Sequence, residues 1–148
     1  MGIFDALAIS GSGLSAERLR MDVSAENLAN AQTTQGAAGG PYRRKAVVLQ
    51  ESAGSGFGSA LAGAQGGQGG QPKGGVQVGG IVEDPTPPRR VYDPGHPDAD
   101  AQGYVQMPNV EPVTEMVDLI SASRAYEANV TAMQTAKSMF SKTLELLR

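Results

Sequence analysis

The sequence predicts a mainly α protein with a small β element: long N- and C-terminal helices paired as a coiled-coil-like core, with a β-hairpin-rich segment between them. Three observations carry this expectation. Apolar residues recur in alternating steps of three and four at both ends of the chain, the seam of a helix that packs on another helix. Two runs rich in β-branched residues lie between those ends, bounded by Gly and Pro. Aromatic residues are sparse, with three Phe, four Tyr and no Trp against 20 Gly in 148 residues, so the chain is poorly equipped to build a large core by itself. The elements divide as residues 1–34 (first helix), 35–108 (β-rich middle) and 109–148 (last helix).

The first helix has its seam at Phe4, Leu7, Gly11, Leu14, Arg18, Met21, Ala25 and Leu28. Gly11 and Arg18 are the misfits, and Gly11 belongs to a GSG that is able to kink or start the helix. Asn27 and Asn30 stand where the pattern fades, and Asn tolerates the left-handed conformation that closes helices. The last helix carries the stronger pattern: Met116, Leu119, Ser123, Tyr126, Val130, Met133, Lys137, Phe140, Leu144 and Leu147. Pro112 suits its first turn, where a missing N–H costs nothing. A helix over 112–147 runs about 54 Å at 1.5 Å per residue, too long for a compact domain of this size, so it needs a partner along its length. Val113, Val117 and Ile120 add a second apolar stripe near its start.

In the middle, PYRRKAVVLQE (41–51) and VQVGGIVED (76–84) read as strands, and VYDPGHPDADAQGYV (91–105) as turn chemistry. Residues 53–75 hold 10 glycines, too little apolar surface to offset the entropy of ordering, so a flexible loop is expected there. Arg43 and Arg44 begin the RRK run inside a strand, either as an exposed face, as charges that guard an edge strand, or as a contact to another subunit.

Little here supports chemistry. There is no cysteine, so thiolate metal sites and Cys nucleophiles are excluded. His96 is the single histidine and sits in a turn between Gly95 and Pro97, with no companion at ligand spacing. Asp93, Asp98 and Asp100 are interrupted by Pro94 and Pro97, unlike a calcium loop. No phosphate-cradling glycine motif is present. The formal charge of −3 gives no basic stripe for nucleic acid. No cofactor and no enzymatic activity are expected, although a cell-wall-cleaving enzyme is the activity considered. The first twenty residues have neither a basic segment nor a long apolar run, so no cleaved secretory signal and no membrane span are expected.

Arg124, Glu127 and Asn129 remain. With Met116 at heptad position a, Tyr126 lies in the seam at d, Glu127 and Asn129 flank it, and Arg124 points away. Asn27 is likewise off the first seam. Off-seam polar residues on helices whose seams are already filled point to a second packing partner.

NLANAQTT (27–34), PYRRKAVVL (41–49), YVQMPNVEPVTEMVDLISASRAYEANV (104–130) and a K-S-M-x-x-x-x-L pattern from Lys137 to Leu144 together resemble the bacterial flagellar basal-body rod proteins, closest to those of the proximal rod. The resemblance spans roughly 1–50 and 76–148; the Gly/Gln-rich run is the departure. It implies a structural subunit that polymerises helically around a central channel through its paired terminal helices and transmits torque. It further implies export through the flagellar type III apparatus without cleavage, and a place in the periplasm-spanning rod of the basal body. The implied partners are other copies, the other proximal rod proteins, the distal rod protein and the base of the rod at the membrane ring. Asn27, Asn30, Arg43, Arg44, Arg124, Glu127 and Asn129 are then expected at subunit interfaces. The alternative is a soluble coiled-coil adaptor that bridges two partners.

Overall fold

The structure is a computed structural model that describes residues 3–36, 39–52 and 74–146, apart from the side chains of Ile3, Phe4 and Leu146. In chain order its elements are α1 (Ile3–Ala29), β1 (Lys45–Glu51), β2 (Val76–Glu83), β3 (Arg89–Tyr92), β4 (Tyr104–Met107) and α2 (Pro112–Leu146). The expected seam positions at the Phe4 side chain and Leu147, and residues 53–73 of the Gly-rich run, lie outside the described residues.

Two long helices and small antiparallel sheets make the protein mainly α, with β1 paired to β2 and β3 to β4. Pro112 opens α2, where its fixed φ suits the first turn. α1 passes through Gly11–Ser12–Gly13 unbroken, so the GSG neither starts nor kinks it. Its C-terminal end does not use a left-handed Asn, since every described residue with positive φ is glycine. Instead both the backbone N–H and the side-chain Nδ2 of Asn30 donate to the Glu26 carbonyl, at 3.1 and 2.9 Å, and Thr33 Oγ1 donates to Asn30 Oδ1 at 3.2 Å. The amide thereby satisfies a helix-end carbonyl.

The chain forms two compact units, and each draws on both helices. They cut across the segment boundaries at residues 34 and 108, because packing joins stretches far apart in sequence. The first unit comprises Met1–Arg18, Val48–Gly80 and Ser123–Arg148. Within it α1 and α2 run antiparallel, with Gly11 beside Met133 and Gly13 beside Asn129. A Cβ on Gly13 would stand 3.0 Å from Asn129 Nδ2. That close approach is the reason a glycine is accepted mid-helix, where it costs about 1 kcal/mol relative to Ala. Ser12 Oγ donates to the Ile9 carbonyl at 2.7 Å and accepts the Val76 N–H at 3.1 Å, which fastens the start of β2 to α1. Ala16 and Ala136 are this unit's buried apolar residues among those described.

The second unit comprises Leu19–Val47 and Ile81–Ala122. It contains the β3–β4 hairpin, antiparallel with Val91 opposite Val105 and Tyr92 opposite Tyr104. Here the structure adds to the expectation of turn chemistry alone over 91–105. Strands of four residues behind Pro85, Pro87 and Pro88 are too short to show an alternating pattern. The turn itself is as the Asp/Gly/Pro content suggests. Asp100 Oδ1 accepts the N–H groups of Gln102 and Tyr104 at 2.8 and 2.9 Å, and Gly103 takes φ +80°. Those backbone donors hold the Asp100 carboxyl below the usual range. Asp98 accepts from Thr34 Oγ1 and Gln35 Nε2 at 2.7 and 2.6 Å, pinning the loop that follows α1. The turn carboxylates are thus engaged in loop hydrogen bonds. The core of this unit mixes Val23, Val105, Val110 and Ala122 with two buried polar residues, Asn27 and Glu115.

Candidate functional site

The end of α1, the start of β1 and the first turns of α2 converge on that polar pair within the second unit. Asn27 is 1% exposed and Glu115 is fully buried. Asn27 Nδ2 donates to the Lys45 carbonyl at 2.8 Å and to Glu115 Oε2 at 3.1 Å. Its Oδ1 accepts the Tyr42 hydroxyl and the Lys45 N–H, both at 2.9 Å. Two donors and two lone pairs are all an amide has, so Asn27 is saturated. Glu115 Oε1 takes Arg44 Nε at 2.6 Å, and a second guanidinium nitrogen of Arg44 reaches Asp118 at 3.4 Å.

The expected strand over 41–51 begins only at Lys45, and Arg44, just before it, is fixed in turn. The Arg44 N–H donates to Asn109 Oδ1 at 2.9 Å, and its carbonyl accepts the Asp84 N–H at 2.8 Å. At the rim, Lys45 Nζ pairs with Glu26 at 2.6 Å, and that hydrogen bond raises the lysine pKa. Burial, with Glu26 nearby, pushes the Tyr42 phenol above its ordinary value. No described buried side-chain polar atom is left without a partner. Beside the cluster lies a cavity of about 150 Å³, flanked by Arg20, Ser24, Val47 and Asp118. It is small, polar and crowded by groups that are already paired. The cluster's groups are committed to one another, so its chemistry is that of a structural joint.

Several expected positions fall elsewhere. Asn27, expected at a subunit interface, is internal, because all four of its hydrogen bonds close within the chain. Arg44 likewise turns inward, onto Glu115. Met116, expected in the helix seam, is 46% exposed, and its neighbour Glu115 takes the inside position because Arg44 and Asn27 meet it there. Phe140 and Leu144 are exposed as well. Leu7, Leu14, Met21, Leu28, Leu119, Tyr126, Val130 and Met133 are half-buried. Asn129 faces Gly13 of the same chain and donates to the Ala125 carbonyl at 3.0 Å. Arg43, Arg124 and Glu127 are exposed, and Asn30 closes α1.

Glu115, Tyr42, Asn109 and Asp118 carry the cluster; all four lie inside the motifs that carry the family resemblance, but nothing in those motifs marks them as partners of one another. Glu115 looks like any first-turn acid of a helix, as Glu111 does. The one available hint is that Arg44 needs a counter-charge, and residue type alone does not say where.

The exposed apolar residues are grouped. Val113, Met116, Val117 and Ile120 are all exposed, at steps of three, one and three along α2. That is an amphipathic face turned toward solvent. Among the described residues no helix is long and apolar enough to cross a membrane.

A long two-helix chain with small cores, an internal polar joint and an outward apolar stripe defines a structural, assembly-type protein. Comparison with known proteins specifies the class. Residues 7–37 match the model of the flagella basal body rod protein family, and residues 101–146 match that of the C-terminal region of flagellar basal body rod FlgEFG proteins. The chain is 48% identical over 146 residues to flagellar basal-body rod protein FlgC of Yersinia enterocolitica, covering 99% of this chain and 98% of that one. It is 50% identical over 150 residues to FlgC of Bacillus subtilis, with 99% of each covered. To FlgC of Borreliella burgdorferi it is 42% identical over 154 residues, covering 100% of this chain and 99% of the other. The chain belongs to the flagellar basal-body rod protein family.

Proposed function

We propose that this chain is a structural subunit of the flagellar proximal rod, assembled helically with its own copies and other rod proteins. The observation that carries the reading is the outward stripe of α2, where Val117 is 59% and Val113 61% exposed. An isolated protein rarely leaves such a face to water, and one that joins a larger assembly has reason to. Family membership supplies the assembly. Contacts that fail to close on themselves generate a helical tube. Helices packed along their length in such a tube transmit torque from one end to the other and surround an export channel.

In this reading the role is mechanical and not catalytic. The exposed Arg43, Arg124 and Glu127 serve lateral contacts to neighbouring subunits. The protein reaches the periplasm-spanning part of the basal body by flagellar export without cleavage of a signal. Deleting the gene in a motile strain is expected to abolish swimming and leave basal bodies that stop at the inner-membrane ring. Motile cells with complete rods would overturn the reading, and a discrete dimer that never enters a polymer would favour a soluble adaptor. Arg124→Glu should restore swimming poorly in the deletion strain while changing monomer stability by no more than about 0.5 kcal/mol, as an exposed substitution does. Normal complementation would make Arg124 a solvated helix residue.

A further inference from the structure

Within the second unit, α2 packs with its less apolar side inward. Its inside positions are Glu115, Leu119 and Ala122, Asp118 lies at the edge with its carboxylate partly exposed, and its outside positions are Val113, Met116, Val117 and Ile120. At about 100° per residue the two sets are centred roughly 150° apart around the helix. Water by itself would favour the reverse arrangement, with the apolar set inside and the Glu115 carboxylate out. The observed orientation therefore needs a specific cause, and the unit contains one. Arg44 Nε at 2.6 Å and Asn27 Nδ2 at 3.1 Å both meet Glu115, while Arg44 also reaches Asp118. Asn27 and Arg44 are themselves fixed, through Lys45 and Asn109.

We propose that the Asn27–Arg44–Glu115 triad is a rotational lock: it sets the roll of α2 over its first turns and thereby decides which residues the helix presents outward. A buried charged group of this kind adds little net stability over an apolar replacement, but stranding it without its partner is strongly destabilising. Only the roll that places Glu115 between Arg44 and Asn27 satisfies all three side chains. Every other roll strands the guanidinium and the amide. The lock is a property of the single chain and holds whatever the outward face later meets.

The chain has no cysteine, so single thiols report on each face without background. Val117→Cys places one on the outward set, and Ala122→Cys, where the native residue is 1% exposed, places one on the inward set. In the otherwise native full-length monomer, a maleimide reagent is expected to label the first at least about tenfold faster than the second. In an Arg44→Met background Glu115 loses its counter-charge, and the lock predicts a reciprocal change. Labelling at 117 slows, and labelling at 122 accelerates at least about tenfold, with helicity by circular dichroism retained. Rates unchanged from the native pattern, with helicity retained, would overturn the proposal, because the roll would then be set by packing alone. If Arg44→Met loses helicity and both thiols react fast, Arg44→Lys decides, since it keeps the charge and loses the planar fork. A reciprocal change of about threefold in that variant supports the lock. Unchanged rates, or fast labelling of both thiols, overturn it.

Discussion

The two ends of α2 are held by opposite means. Its first turns, in the second unit, are gripped by charge: a buried Glu115, an arginine fork and a saturated amide. Its later turns, in the first unit, are gripped by smallness: Asn129 and Met133 lie against Gly13 and Gly11, whose missing Cβ atoms leave room for those two side chains. The contrast teaches what each solution specifies. Close approach of small residues fixes distance and tolerates a range of rotations, whereas a buried ion pair with complete hydrogen bonding fixes rotation and tolerates no missing member. One helix uses both, each within its own unit.

Breaking the charged end should have the largest effect. Asn27→Leu removes one side chain and leaves the Tyr42 hydroxyl, the Lys45 N–H and carbonyl and one oxygen of Glu115 short of a partner. Each unsatisfied buried group costs about 1–3 kcal/mol, so urea unfolding at 25 °C should show a loss of at least about 3 kcal/mol. A loss below about 1 kcal/mol would mean that water replaces the amide. At the small-residue end, Gly13→Val forces bulk against an Asn129 side chain that is already bonded to Ala125. Overpacking of this kind costs about 1–3 kcal/mol, and the same urea titration should show a loss near the middle of that range.

A smaller effect separates the two ends by pH. Burial and Glu26 raise the Tyr42 pKa in the folded state, and the hydrogen bond to Glu26 raises that of Lys45. For both, the unfolded chain releases its proton first as pH rises, so their contribution is complete below the ordinary values of 10.0 and 10.5 and is lost as pH climbs through the raised folded values. Thermal unfolding followed from pH 8 to 11 should show stability falling above about pH 10. Tyr42→Phe should cost about 1 kcal/mol near neutrality, the worth of one hydrogen bond, and flatten part of that decline. An unchanged slope would place the titration elsewhere. The least effect is expected at Gly11, where an added Cβ meets the Met133 methyl at 3.8 Å, ordinary contact. Gly11→Ala should raise stability by up to about 1 kcal/mol through helix propensity alone. A loss instead would show that this crossing is as tight as the one at Gly13.

These expectations rest on features that were unequally visible beforehand. The helices could be read because periodicity, Pro112 and the absence of breakers across 112–146 are local signals. β1 and β2 could be read for the same reason, and the short β3–β4 hairpin was hidden by its length and its prolines. The heptad count placed Met116 inside, since it weighs hydrophobicity and takes no account of where a counter-charge sits. NLAN and PYRRK stood out as motifs, but nothing in their spelling says that Asn27 and Arg44 meet each other's partners.

The sequence by itself determined the helical ends, the strands of the longer hairpin and the family to which the chain belongs, because each depends on residue order over short windows. The tertiary structure alone decided which face of α2 is inside. That choice depends on Arg44 just before β1, Asn27 in α1 and Glu115 in α2 arriving within hydrogen-bond reach across 71 and 88 residues of chain. Hydrophobic burial has no direction and would have selected the other face; the ion pair and the amide are directional, and they prevail.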